Sequence, residues 1–300
     1  MNVNKKTDQN CPLCRGKHAH VFHQEESFGY PLTYYQCETC GVVFQHAADS
    51  PAADPNFYKE TYRRVYQASE EPTPKDLSVQ KRRALNSIIF LKDQGLSSVE
   101  NALDIGASAG VLLDALKAAY RCQVTGVEPG RVYRSFAQSK GLHMVSSLEE
   151  LANAKPKRFD LVSLMHVLEH LVDPLGTLKT LRQDLMTTDS RLLIQVPNFY
   201  AHDSYELAHL ICFTPHSLRE LVQQAGFEVL TVKAHGSPRS KHIKLYLTLL
   251  AKPLSEEIPL PAIKPDHQVP RKRQLGILYR KFVQKAFPRS AWLPLETDKK

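Results

Sequence analysis

From Asn101 onward, short apolar runs alternate with segments whose apolar residues recur at helical spacing. Asn101–Ile105, Gln123–Val127, Leu142–Val145, Phe159–Met165 and Arg191–Val196 read as strands. Between them Gly110–Tyr120, Val132–Lys140, Ser147–Asn153 and Pro174–Leu185 read as helices, the first with Val111, Leu112, Ala115 and Leu116 on one face. Thr214–Ala225 is a further helix closed by Gly226. Phe227–Ala234 and Lys244–Ala251 follow as strands with no helix between them, which predicts an antiparallel hairpin at the sheet edge. The predicted fold class is α/β: a Rossmann-like seven-stranded sheet, its last strand antiparallel, with helices on both faces.

Upstream the pattern differs. Residues 1–50 hold short β runs, Leu32–Gln36 and Val42–Gln45. Residues 51–78 carry Pro51, Pro55, Pro72 and Pro74 and read as a linker, with an aromatic segment at Phe57–Tyr62. Asp76 or Ser78 is placed to cap a helix running to about Gln94, with Gly95 ending it. The expected organisation is a zinc ribbon at 1–50, a linker at 51–78, the α/β domain at 79–252 and a basic extension at 253–300.

The ribbon rests on Cys11, Cys14, Cys37 and Cys40: two Cys-x2-Cys pairs separated by 22 residues. Each pair, on a tight turn, presents two sulfurs to one side, and two such knuckles close a tetrahedron around Zn²⁺. Pro12, Gly16 and Gly41 supply the turns. A complete four-cysteine set leaves no open coordination position, so the predicted metal is structural.

Composition adds bounds rather than identity. The chain has 300 residues, 42% hydrophobic and 23% charged, enough for one full domain and one or two small modules. No apolar run approaches the ~20 residues that span a bilayer, and Met1–Asn10 lacks the apolar core of a signal peptide. Cys122 and Cys212 stand alone in apolar surroundings and are expected as buried thiols. Together these features predict a cytoplasmic protein.

Charge is unevenly placed. From Lys264 to the end there are ten Lys/Arg against three Asp/Glu, so +7 of the net +8 lies in the last 37 residues. Within that tail, Arg271–Phe287 sets Leu275, Leu278, Phe282 and Phe287 at helical spacing with Arg280, Lys281 and Lys285 between them. The expectation is that the apolar stripe packs on the protein's own domain and the charges are solvated. Lying on an anionic membrane surface is the alternative.

In an open parallel sheet, ligands bind outside the carboxyl ends of the strands where strand order reverses. The first strand ends in Asp104-Ile105-Gly106-Ala107-Ser108-Ala109-Gly110, small residues that let backbone approach a ligand. Glu128 ends the next strand, where a carboxylate accepts both hydroxyls of a ribose. A dinucleotide needs Gly-x-Gly-x-x-Gly to seat its pyrophosphate. Here the loop is Gly-x-x-x-Gly behind an acid that repels phosphate and attracts ammonium, which favours a nucleoside carrying an amino acid, S-adenosylmethionine, over NAD.

These stretches resemble class I S-adenosylmethionine-dependent methyltransferases. The likeness is to the branch with an N-terminal zinc ribbon found among sugar and other small-molecule methyltransferases. It is carried by Asn101–Leu113 (NALDIGASAGVLL), Val124–Pro129 (VTGVEP), Phe159–Pro174 (FDLVSLMHVLEHLVDP), Leu192–Asn198 (LLIQVPN) and His209–Val229, and covers residues 8–252. The resemblance implies that Asp104, Gly106 and Gly110, with Ala107 and Ser108 between them, surround the methionine moiety. It places Glu128 on the ribose, and Met165 and His166 beside the cofactor. Ser108 stands where the family has a glycine, and no acid for the adenine amine follows the third strand near Ser146-Ser147.

His166-Val167-Leu168-Glu169-His170 spells His-x-x-Glu-His, a zinc-protease pattern. Its position at the end of a buried strand, with Asp173-Pro174 close behind, excludes that reading. Ubiquinone-type O-methyltransferases resemble this segment and use acidic and His side chains there for a divalent ion, but this chain has His166 where they have a carboxylate. The leading expectation is that Glu169 and His170 hydrogen-bond backbone and fix the loop under the cofactor.

Pro197–Pro215 is long and polar, and is expected as a lid over the acceptor. In resembling sugar C-methyltransferases a His ahead of the apolar-Phe-Ser/Thr run serves as base, and His209 matches it, with Ala208 in place of their preceding Glu. His209 and His170 are therefore the candidate catalytic bases. The function expected is methyl transfer to a small-molecule acceptor, most simply a sugar, sugar nucleotide or related intermediate. The rivals are an RNA methyltransferase using ribbon and tail, and a non-catalytic zinc-ribbon scaffold.

Overall fold

The computed structural model describes residues 6–8, 10–54, 57, 71–154, 156–255 and 258–294. The aromatic segment at 57–62 lies outside them except for Phe57, which is buried. At the N-terminus Lys6–Asp8 (β1), His18–Ser27 (β2), Tyr30–Cys37 (β3) and Val43–Gln45 (β4) pair antiparallel in sequence order. Phe28 and Gly29 join β2 to β3 with φ of 53° and 80°. A two-residue hairpin whose twist matches its strands needs this sign at both positions.

Pro74–Asp93 (α1) follows. Its cap is Thr73 rather than Asp76 or Ser78: the Thr73 side chain accepts from the Asp76 backbone N–H, and the Asp76 carboxylate accepts from the Thr73 backbone. Asp76 is the third residue of a helix begun by Pro74, a sequence that satisfies two of the end's orphan donors.

The main sheet is built from Asn101–Ile105 (β5), Gln123–Val127 (β6), His143–Val145 (β7), Phe159–Met165 (β8), Met186–Pro197 (β9), Phe227–His235 (β11) and Tyr246–Pro253 (β12). Ile211–Cys212 (β10) lies elsewhere. The order across the sheet is β11-β12-β9-β8-β5-β6-β7. β12 runs antiparallel to both β9 and β11, while β9, β8, β5, β6 and β7 pair parallel. The expected seven-stranded sheet with an antiparallel last strand is present. Val111–Tyr120 (α2), Arg131–Ser139 (α3), Leu148–Asn153 (α4), Pro174–Thr180 (α5) and Pro215–Gln224 (α6) connect the strands. α5 runs into a π turn at Leu181–Leu185. The pleat of β5 splits the core: Ala102 packs into the layer under α1 and α2, and Leu103 and Ile105 pack into the opposite layer.

The chain leaves β5 toward β6 and β7 and then returns to β8 on β5's other side, so strand order reverses between β5 and β8. This crevice is where the fold holds a ligand.

Two expectations are corrected here. Residues 197–215 are not a loose lid. Leu207, Ala208 and Leu210 are fully buried, and β10 joins the ribbon's sheet, pairing Ile211 with Phe44 and Cys212 with Val43. Sequence alone does not reveal that a two-residue strand meets a partner 167 residues upstream. The second correction concerns the C-terminal helix, Val269–Ala286 (α7), which is followed by Pro288–Ala291 (α8). Its apolar stripe does not pack inward: Leu275, Leu278 and Phe282 are 67%, 55% and 60% exposed, and Phe287 just beyond the helix is exposed too. Instead Arg273 and Arg280 are buried, and their guanidiniums donate to the carbonyls of Phe199, Ala201 and His202, acceptors that need a partner once they leave water. Of the two lone cysteines, Cys122 is buried and Cys212 is partly exposed at the ribbon seam.

Candidate active site

The carboxyl ends of β5, β6 and β8 open into a cavity of about 780 Å³. Asp104, Gly106, Ala107, Ser108, Glu128, Met165, His166 and His170 all line it. Gly110 stands off the cavity. With φ 75° it starts α2, and a Cβ there would drive into Leu142, so its glycine serves packing and turn geometry. Gly106 also has a left-handed φ of 70°, and a Cβ there would collide with Val167. Ser108 adopts φ 50° where only glycine is unstrained.

Asp104 is buried, and one oxygen accepts from the Ser163 hydroxyl at 2.6 Å. Burial, with the Glu128 charge adding to it, pushes its carboxyl up to about 7. Glu128 is fixed from two sides: Oε2 accepts from the Ser108 N–H at 2.9 Å and Oε1 from the Gly130 N–H at 2.7 Å. These bonds tie the end of β6 to the glycine loop after β5, and they account for a buried carboxylate there.

Sequence reasoning missed the wall opposite. Lys75, Asp76, Gln80 and Arg83 of α1 line the same cavity. Gln80 donates to the Ser108 hydroxyl at 3.4 Å. Arg83 reaches the Tyr246 hydroxyl at 3.5 Å and lies over its ring at 5.3 Å, and no carboxylate partners it among the described residues. The available signal was the spacing of Asp76, Gln80 and Arg83 along one helix face immediately before the first strand.

On the far side of Met165 is a cluster of histidines and acids. His166 has φ 58°; its Nε2 lies 3.2 Å from Gln195 Oε1 and its Nδ1 3.4 Å from Glu169 Oε1. Burial, reinforced by the Arg83 charge, holds this ring well below the ordinary histidine range, and burial raises the Glu169 carboxyl. Glu169 is 1% exposed and neither oxygen makes a hydrogen bond, against the expectation that it anchors backbone. His170 does hold backbone: its Nδ1–H donates to the Ala208 carbonyl at 2.7 Å, which leaves Nε2 as the basic nitrogen.

His170 and His209 come together with ring centroids 5.0 Å apart. Burial lowers each to about 4, so both rings are neutral at pH 7. His209 does not line the large cavity but a narrow cleft behind it, with Tyr34, Glu169, His202 and Glu206. The carboxylate absent at position 208 arrives from another residue: Glu206 Oε2 lies 3.3 Å from His209 Nε2.

Cys11, Cys14, Cys37 and Cys40 also converge, Cys11 and Cys40 at 3.5 Å and Cys14 and Cys37 at 3.5 Å. All four sulfurs lie within 4.8 Å of one another. A tetrahedron with metal–sulfur bonds of ~2.3 Å has edges of about 3.8 Å, so the set fits one Zn²⁺. Glu169, His170 and His209 form a second group whose ligand atoms lie within 4.8 Å.

Comparison with known proteins follows the same outline. The chain is similar to the ubiquinone biosynthesis O-methyltransferase of Serratia proteamaculans, 33% identical over 87 residues that cover 27% of this chain and 36% of that protein. It is similar to the enzyme of the same description from Hahella chejuensis, 30% identical over 92 residues, 28% of this chain and 38% of that one. The chain thus spans little more than a third of the length of these curated relatives. Among solved structures, the CcbJ methyltransferase of Streptomyces caelestis superposes with a TM-score of 0.50 at 15% identity, over 67% of this chain and 100% of that chain, a likeness of fold. A family model described as a methyltransferase domain matches residues 75–232, more than half of the chain and every strand from β5 to β9. The cavity, the strand order around it and this match agree, and the chain belongs to the methyltransferase domain family.

Proposed function

We propose that this chain transfers the methyl group of S-adenosylmethionine to a small-molecule acceptor, a sugar, a sugar nucleotide or a related biosynthetic intermediate. The observation that carries the reading is the cavity at the β5/β8 crevice, whose lining brings the carboxylates Asp104 and Glu128 together with the cation Arg83. A zwitterionic amino acid joined to a nucleoside needs an acid and a cation for its amino-acid end and an acceptor for its ribose hydroxyls. Asp104 attracts the ammonium, Arg83 the carboxylate and Glu128 the ribose hydroxyls, while Met165 and His166 close the far wall.

When bound, the cofactor's sulfonium supplies an electrophilic methyl carbon. The protein's part is alignment, exclusion of water and removal of one proton. With the cofactor bound, the acceptor oxygen or carbon would take the methyl carbon while the sulfur leaves as a neutral thioether, and the acceptor's proton would pass to a neutral imidazole of this chain. His170 suits this role best, because it lines the cavity and its basic Nε2 is defined by the bond from Nδ1–H to Ala208. His209, 5.0 Å away and backed by Glu206, is placed to take the proton onward. The four cysteines hold a structural Zn²⁺ that fixes the ribbon.

A second reading is favoured by the unbonded Glu169 oxygens: a divalent cation on Glu169, His170 and His209 that would draw the acceptor oxygen. Metal analysis separates the two. One equivalent of zinc, with turnover indifferent to added Mg²⁺ or Mn²⁺, supports the imidazole base; a second equivalent required for turnover supports the cation.

Calorimetry of S-adenosylmethionine on the zinc-replete chain tests the cofactor assignment. Glu128→Gln and Arg83→Ala are each expected to weaken binding by about 10- to 100-fold, the loss of one or two hydrogen bonds to a charged group. Unchanged affinity in both variants would remove the assignment.

A further inference from the structure

α7 is held to the protein by its polar residues and shows its apolar ones to solvent. Arg273 donates to the carbonyls of Phe199 and His202 and to the Tyr205 hydroxyl, and its guanidinium lies over the Phe199 ring at 4.1 Å. One face further along, Arg280 donates to the Ala201 carbonyl at 2.8 Å and pairs with Asp203 at 2.8 Å. Between them Gly276 lies against the Tyr200 backbone so closely that a Cβ would strike its carbonyl oxygen. Three successive turns are thus keyed to residues 199–203, and the helix cannot roll to hide its stripe. Leu275, Leu278 and Phe282 face outward, joined by Tyr279 at 52% exposure. Single exposed apolar side chains are ordinary, but a contiguous set on one fixed helix face marks a contact surface.

The charge around this face is of one sign. From His267 to Pro294 the sequence has seven Lys/Arg and no Asp/Glu. Arg271, Lys281, Lys285 and Arg289 are exposed beside the apolar residues. We propose that this face of α7 seats the protein on an anionic phospholipid surface, with Leu275, Leu278 and Phe282 entering the headgroup–acyl boundary and the cations pairing with lipid phosphates. A second copy of the chain is a poorer occupant, because a two-fold contact sets the same cations against one another. A nucleic acid would satisfy the cations but has no use for aliphatic side chains. No helix among the described residues is long and apolar enough to cross a membrane, so the contact is peripheral. The carbonyls clasped by Arg273 and Arg280 belong to the segment that continues to His209, which places the seat next to the acceptor side of the site.

The test is vesicle flotation of the full zinc-replete chain, with phosphatidylcholine alone and with phosphatidylcholine containing one quarter phosphatidylglycerol. Binding to the anionic vesicles only, weakening with salt, is the expected result. Lys281→Ser/Lys285→Ser is expected to lower partitioning about 25-fold, at roughly fivefold per cation. Leu278→Glu/Phe282→Glu is expected to abolish it. Both pairs are exposed, and unchanged circular dichroism and cofactor affinity exclude misfolding as the cause. The proposal is overturned if neither vesicle binds the protein or if the Leu278/Phe282 pair leaves partitioning intact. It is also overturned if the wild type is a dimer in the ultracentrifuge that these substitutions dissociate, or if RNA competes the protein off the vesicles at equal phosphate concentration.

Discussion

Gln45→Ala in the ribbon is expected to loosen the segment that carries His209 while leaving the cofactor cavity intact. Gln45 is buried, and its Nε2 donates to the carbonyls of His209 at 2.7 Å and Leu207 at 3.0 Å and touches that of Glu206 at 3.3 Å. Tyr34 Oη, with one proton to give, lies 2.7 Å from the His209 carbonyl and 2.8 Å from the Glu206 carbonyl, and the Glu206 carbonyl also accepts from the His209 N–H, so those two acceptors keep a donor in the variant. The Leu207 carbonyl loses this donor. A lost hydrogen bond costs about 1 kcal/mol net, and an orphaned buried acceptor about 1–3 kcal/mol more. The sum, about 2–4 kcal/mol, acts on residues 204–210, whose backbone these two ribbon side chains hold. Every 1.4 kcal/mol is a factor of ten in an opening equilibrium, so exchange of these amides is expected to accelerate about 30- to 700-fold. The His209 N–H, which donates to the Glu206 carbonyl at 2.9 Å, is the reporter. Hydrogen exchange read by mass spectrometry needs no acceptor, and calorimetry gives the cofactor affinity of the same sample. The reasoning is refuted if protection in 204–210 is unchanged, if β5 and β6 lose protection equally, or if S-adenosylmethionine affinity falls in parallel.

Three further outcomes follow from other contacts. Gly276→Ala is expected to lift α7 off Tyr200 and expose residues 269–286 to limited proteolysis, whereas Gln274→Ala, on the exposed side of the same helix, is expected to leave the cleavage pattern alone; equal patterns would refute the packing argument. Chelation of the Zn²⁺ proposed for the four cysteines is expected to raise protease sensitivity at the ribbon and at 204–210 together, since β4 pairs with β10; cleavage confined to the ribbon would sink that coupling. Burial lowers His202 to about 4 against about 6.5 unfolded, so the unfolded chain binds the extra proton between those values and stability falls as pH drops through that window, by about 1–3 kcal/mol. His202→Gln is expected to flatten the urea midpoint between pH 6.5 and 4, and an unaltered slope would show that another group dominates. Asp104, raised to about 7, acts with the opposite sign, its penalty present at neutral pH and relieved on acidification, and that term is common to both proteins.

What the sequence declared was whatever depends on local period and on short fixed spacings. The strands were legible because each is a brief apolar run, and the glycine loop because Gly106 and Gly110 must adopt left-handed φ within six residues of Asp104. The four cysteines were legible for the same reason: two local pairs suffice, whatever lies between. The missed features all depend on contacts across the chain. Arg83 becomes part of the cavity only once α1 is laid beside the loop after β5. Glu206 reaches His209 only because the chain turns between them, with the His209 N–H bonded to the Glu206 carbonyl, so a search for an adjacent acid finds Ala208 instead. The inverted packing of α7 is the clearest case. Its hydrophobic period is as regular as that of any buried helix, but the surface it meets carries the backbone carbonyls of Phe199, Ala201 and His202, which need donors, and two arginines meet that need better than leucines do. Which face of an amphipathic helix turns inward is decided by what the partner surface lacks. The same logic makes the ribbon more than an appendage: Tyr34 and Gln45 hold the carbonyls of Glu206, Leu207 and His209, so the ribbon and a candidate catalytic histidine form one mechanical unit.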